Sequence, residues 1–333
     1  MHSSGRRKRR SLSLVVRHHM TSRHHHYLSQ FYLKGFTKGR AKKSKLIVFD
    51  IKENKSFETI PRNVGGIRDF NRIDIDGVDQ NQLEKDLADF EGKAASALKK
   101  LEETKDFTGE VRELIINLMA LIAVRSPERR EHMIKFETDV MEKIMGLALH
   151  SEERWTSQMR QMKEANQEYE NNVPYEEIRD FFDSKEYTIQ FAREHHIHME
   201  MVQVDAILPY LDGRSWVLVE SSSETGPFIT CDNPVSLSWN EPEKVPPIYR
   251  RSPGFGLTGT QVCFPVSQDL VLIGEFDKED GVVHGSEELV ALCNSTILHN
   301  FYNQIYAPKP GFKFYGKDGE LMEGTRILRE LNA

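Results

Sequence analysis

From Val111 to Val124 the chain reads VRELIINLMALIAV, apolar nearly all the way round a helix. Such a helix cannot lie on a surface; other elements must enclose it, so the fold needs a thick centre. Thr108 is placed to cap its start, and Ser126-Pro127 ends or kinks it. Its most apolar part, Leu114 to Val124, falls far short of the roughly 20 residues that cross a bilayer and contains Asn117, so no membrane partner is expected.

The elements around this helix follow from periodicity. Lys45 to Lys52 alternates as a strand, Glu53-Asn54-Lys55 reads as a turn, and Ser56 to Pro61 returns, giving an N-terminal β-hairpin. Asp79 to Glu103 places Leu83, Leu87, Phe90, Ala94, Ala97, Leu98 and Leu101 at helical spacing. Glu128 to Arg193 is helical, charged and rich in Met, with a break near Asn171-Asn172-Val173-Pro174, and Tyr187 to Leu211 stays mostly helical. Beyond Gly213 the pattern changes to strands at Ser215–Ser221, Pro227–Thr230, Gln261–Pro265 and Leu270–Glu275, before a last helix at Ser286–Gln304. The expected class is α+β: a helical first two-thirds with an N-terminal β-hairpin, packed on a mainly antiparallel C-terminal sheet. Length favours one large domain over residues 21–333, with a helical insertion at about 128–186.

Charge is unevenly spread. Residues 1–45 hold 13 Lys and Arg and no acid, leaving 32 of the 45 bases against all 51 acids and a body charge of −19. Such a body repels nucleic acid, so any such contact has to run through the basic N-terminal strip. Residues 1–20 lack periodicity and are expected to be a disordered basic extension. Cys231, Cys263 and Cys293 are too widely spaced for a disulfide framework or a CxxC metal pattern, which favours a reducing, cytoplasmic setting.

The segment His25-His26-Tyr27-Leu28-Ser29-Gln30-Phe31-Tyr32-Leu33-Lys34-Gly35-Phe36 resembles the opening of the domain of unknown function 4238 family (DUF4238), with Ser29 where that family usually has proline. The resemblance continues in Leu83-Glu84-Lys85, in Phe90-Glu91-Gly92-Lys93-Ala94-Ala95 and in Arg125-Ser126-Pro127. It extends to Phe228-Ile229-Thr230-Cys231-Asp232-Asn233-Pro234-Val235, with Cys231 at a usual serine, and to Phe264-Pro265-Val266-Ser267, Asn294 and Ile305-Tyr306-Ala307. It covers about residues 25–308 and implies boundaries and candidate positions without a reaction.

The residues themselves supply candidate chemistry. His25 and His26 can act as a general base or bind a divalent metal, or hydrogen-bond backbone where the chain enters the fold; three histidines in a row cannot all face one point. Glu84 and Glu91 stand two helical turns apart on one face, where they are either solvated or the two carboxylates of a site. Arg125, closing the apolar helix, needs a partner, expected to be Glu84, Glu91 or Asp232. Asp232 and Asn233 are aimed by a strand end and fixed by Pro234, for catalysis or for an Asx turn. Two functions follow: a hydrolase of a phosphodiester or similar ester, with these seven residues around one polar cleft, or a non-catalytic interaction module in which they form a buried structural network. A second cluster, Glu194-His195-His196-Ile197-His198-Met199-Glu200, lacks metal-ligand spacing and reads as surface histidines, and Gly254 to Gly259 lacks a phosphate-loop context and reads as a flexible loop.

Overall fold

The computed structural model describes residues 23–41, 43–166, 173–250 and 253–332; the basic extension expected at 1–20 lies outside them. Strand β1 (His24–His26) leads into a short helix α1 (Gln30–Lys34), the expected hairpin β2 (Leu46–Asp50) and β3 (Lys55–Thr59), and the short strand β4 (Gly66–Arg68). Helices α2 (Gln82–Thr104), α3 (Gly109–Val124), α4 (Pro127–Ala148), α5 (Glu152–Ala165), α6 (Tyr175–Ser184) and α7 (Arg193–Asp212) follow. The remainder is β5 (Ser215–Glu220), β6 (Thr230–Cys231), β7 (Ser236–Trp239), β8 (Thr260–Ser267), β9 (Leu270–Glu275), β10 (Gly281–His284), α8 (Glu287–Leu298), β11 (Gln304–Ala307), β12 (Lys313–Tyr315), β13 (Leu321–Glu323) and α9 (Ile327–Asn332).

One sheet has the order β10-β5-β9-β8-β7 and is antiparallel except where β10 runs parallel to β5. A second, β3-β2-β11-β6, joins the N-terminal hairpin to the far end of the chain, with Asp50 opposite Gln304 and Ile47 opposite Ala307. Successive strand residues point to opposite faces. Trp216 and Leu218 of β5, Val262 and Phe264 of β8, and Leu270 and Leu272 of β9 pack with α2 and α3. Their neighbours Val219, Cys263 and Val271 pack with α8 and the β12–β13 hairpin. The fold is α+β, and α3 sits where its sequence requires, with Ile115, Leu118, Met119 and Ile122 buried between α2, α7 and the sheet. Among the described residues no helix is long and apolar enough to cross a membrane.

Several boundaries differ from the sequence reading. The strand expected at Pro227–Thr230 pairs only at Thr230–Cys231, because the Phe228 and Ile229 amides bond to Gln268 O and Asn294 Oδ1 instead of a neighbouring strand. The helix expected to reach Gln304 stops at Leu298, because the Tyr302, Asn303 and Gln304 amides turn onto Asp232. Residues 187–192 are irregular, and α7 starts at Arg193. In the stretch read as an insertion, α4 and α6 bury no residue and α5 buries Trp155. Of its expected break, Asn171 and Asn172 lie outside the described residues, and Pro174 precedes α6. The Gly254–Gly259 loop is held by the buried Arg214, whose guanidinium donates to the Phe255 and Thr260 carbonyls at 2.7 Å each.

Candidate functional site

The histidine triplet forms β1, paired antiparallel with β4 so that His24 faces Arg68 and His26 faces Gly66. Gly65 supplies the left-handed turn before β4, at φ 67°. Gly66 lies under the His24 ring, where a side chain would displace the imidazole. Strand alternation divides the three rings. His24 and His26 line an open cleft and meet edge to face at 4.9 Å between centroids. His25 points the other way and is buried, its Nδ1 accepting the Asn71 amide at 2.9 Å. That bond leaves no proton on Nδ1, so its 3.9 Å approach to Glu84 is not an ion pair in this tautomer.

Helix α2 forms the opposite wall. Glu84, Leu87, Ala88 and Glu91 follow the i, i+3, i+4, i+7 spacing of one helical face and border the same cleft of about 590 Å³, together with Gln30, Arg62 and Asn63. The Ser29 hydroxyl donates to Glu91, and the Asn71 amide group donates to Glu84. Burial pushes the Glu91 carboxyl above its ordinary range, and the nearby Glu84 charge adds to this. Burial pushes the His26 imidazole below its ordinary value, and His24 adds to this. His26 Nε2 lies 3.3 Å from the Arg62 carbonyl. A carbonyl only accepts, so Nε2 donates there and Nδ1 keeps its lone pair.

Beneath the cleft the polar groups pair with one another. Arg125 does not meet Glu84, Glu91 or Asp232 directly. Its Nη2 donates to Asn71 Oδ1 at 2.7 Å, and its Nε lies 3.8 Å from Glu200 Oε2. Glu200 also accepts from Arg130 Nε at 2.8 Å, and the Arg130 guanidinium covers the Phe70 ring at 3.7 Å. Arg125 and Glu200 are both buried, an arginine–glutamate–arginine triad tied to Glu84 through Asn71. The sequence offered Glu200 only inside a segment read as surface histidines. His196 in that segment is buried as well, 3.9 Å from Glu137, which also bonds His195 at 2.7 Å.

Asp232 and Asn233 form a separate centre that does not border the cleft. Asp232 accepts the backbone amides of Tyr302, Asn303 and Gln304 at 2.8, 2.7 and 2.9 Å. Burial pushes its carboxyl up to about 6 against the downward pull of those amides. Asn233 donates to Glu128 at 3.2 Å, and its carbonyl accepts from Asn300 at 2.6 Å. Of the seven candidates, His26, Glu84 and Glu91 therefore share the open cleft, His25 and Arg125 lie beneath it, and Asp232 and Asn233 stand apart. His24, Ser29, Arg62 and Asn71 complete the arrangement. Strand alternation was the available signal for His24, whereas Arg62 and Asn71 reach the site through folding alone. Among the described residues no group of three or more His, Cys, Asp or Glu side chains is placed to hold a metal ion, so the divalent metal considered from the sequence finds no ligand set there.

No curated protein and no solved structure matches the chain. The family described as "Protein of unknown function (DUF4238)" matches residues 24–310, which span β1, the cleft, the buried triad and the Asp232 centre. The chain belongs to that family.

Proposed function

We propose that the cleft is the active site of a hydrolase that cleaves a phosphodiester or similar ester by acid–base chemistry. The observation that carries this reading is the presence, in one cleft, of a carboxyl whose proton affinity is raised and an imidazole whose proton affinity is lowered. The first holds its proton to higher pH than an ordinary carboxyl does, and the second stays neutral, free to accept a proton, to lower pH than an ordinary imidazole. His26 Nδ1 takes a proton from water as the water oxygen attacks the ester centre. The bond to the leaving oxygen breaks as Glu91 delivers its proton to it, and the Ser29 hydroxyl donates to the carboxylate that results. Among the described residues, Arg62 is the sole Lys or Arg lining the cleft. One guanidinium matches the single charge of a diester, and the Glu84 carboxylate opposes the second charge of a monoester.

The non-catalytic reading is favoured by a specific observation for Arg125, Asp232 and Asn233: all three are buried and bonded to protein groups, Arg125 to Asn71, Asp232 to the Tyr302 amide and Asn233 to Glu128. They hold the walls rather than touch substrate. The free, buried state of Cys231, Cys263 and Cys293 supports a reducing compartment, the cytoplasm, as the setting.

The test is turnover of bis(4-nitrophenyl) phosphate and of 4-nitrophenyl carboxylic esters in the presence of a chelator. The expected outcome is a bell-shaped pH profile, with Glu91→Gln and His26→Asn each lowering the rate about 10²-fold or more and leaving the unfolding midpoint near that of the parent. No turnover across the panel, or full activity in Glu91→Gln, would overturn the proposal.

A further inference from the structure

Helix α4 is 22 residues long and buries none of them. Phe136, Val140, Ile144 and Leu147 expose 66, 37, 54 and 63 % of their surface. At about 100° per residue these four positions fall within an arc of about 80°, a stripe about 17 Å long. Elsewhere on α4, Glu137 bonds His195 at 2.7 Å, Glu142 accepts from Tyr187 at 3.4 Å, and Gly146 lies against the Phe182 ring, while Ile134 and Met141, away from the stripe, expose 36 and 40 % of their surface. Nothing among the described residues covers the stripe.

We infer that this stripe is the seam of a homodimer in which α4 packs antiparallel on α4 of a second copy, about a two-fold axis near residues 141 and 142. A two-fold interface requires one surface to complement itself, with residue i meeting j and j meeting i. Read in reverse, the stripe does so: Phe136 falls opposite Leu147 of the second copy, and Val140 falls opposite Ile144. The charges agree with this register. Asp139 and Lys143 are exposed on one flank of the stripe and take part in no ion pair among the described residues. Within one residue of the same alignment, each Asp139 faces Lys143 of the second copy, and the axis makes two such pairs. One helix per copy makes a small interface, so association is weak and depends on concentration. This inference is independent of the cleft and of its proposed chemistry.

Sedimentation velocity on the full chain, from roughly 1 to 100 μM where a small interface half-dissociates, reads the result. The parent is expected to pass from monomer to dimer across that range, and Ile144→Glu to remain monomeric. At low salt Asp139→Lys or Lys143→Asp should each raise Kd about fivefold to tenfold, and the double swap Asp139→Lys/Lys143→Asp should restore it. Both charged side chains are exposed, so these variants should keep the parent circular dichroism and melting temperature. A monomer at every concentration, a dimer indifferent to Ile144→Glu, or a double swap that fails to restore association would overturn the inference.

Discussion

Glu91 and Asp232 are both carboxyls whose proton affinity is raised by burial, yet they belong to different kinds of place. Asp232 is caged by three backbone amides that cannot leave without undoing the turn that ends α8. Glu91 is met by one hydroxyl that can rotate, and it borders open space beside a second carboxylate and two imidazoles. A shifted proton affinity records desolvation. Whether a group is reserved for structure or left for chemistry depends on how many partners it has and how freely they can move.

The comparison is most exposed to failure at Arg125, which underlies the cleft yet belongs to the closed class. Arg125→Ala leaves Asn71 Oδ1 unpaired and deprives Glu200 of a second guanidinium, so it should cost about 3 to 5 kcal/mol in urea unfolding. A loss below about 1 kcal/mol would place Arg125 with the solvated cleft groups instead.

Asp232 offers a test in pH. Its folded-state value, about 6, lies above its ordinary value of 3.8, so the protonated form is favoured in the folded protein. Its contribution to stability is therefore full below about pH 4 and declines as pH rises through about 6. The advantage of the parent over Asp232→Ala should shrink by about 1 to 3 kcal/mol between pH 4 and pH 7. An advantage that grows over that range would mean the three amides outweigh burial.

The smallest effect is expected at Ser29. Its backbone, φ −61° and ψ 140°, already suits proline. Ser29→Pro removes the hydroxyl bond to Glu91 and stiffens the unfolded chain, two opposed effects that should leave stability within about 1 kcal/mol. With its donor gone, Glu91 should titrate higher than in the parent, as carboxyl NMR shifts would report.

What could be read from the sequence follows from how local the deciding forces are. Helices α2 and α3 and the β2–β3 hairpin were legible because their own periodicity sets them. β10 was not: all four of its residues are exposed, and only pairing with β5 makes Gly281–His284 a strand. α8 was read too long because Asp232, far away in sequence, turns out the chain that follows it. At the site, Glu84 and Glu91 were legible as one helical face, and the triplet as unable to converge. The partner of Arg125 was not, because Asn71 lies in a loop and Glu200 on a helix whose buried face carries no simple apolar stripe.

The pairing of β2 with β11 also fixes an order of events during synthesis. Asp50 and Gln304 are 254 positions apart and bonded across that sheet. At about 5 to 20 residues per second, the β2 edge waits roughly 10 to 50 s for its neighbour to emerge from the ribosome. Over that interval Leu46–Asp50 presents an unsatisfied row of amides and carbonyls, a template for any passing extended segment. The adjacent lysines, Lys43 and Lys45 before the strand and Lys52 after it, are positioned to discourage such pairing until the native strand arrives.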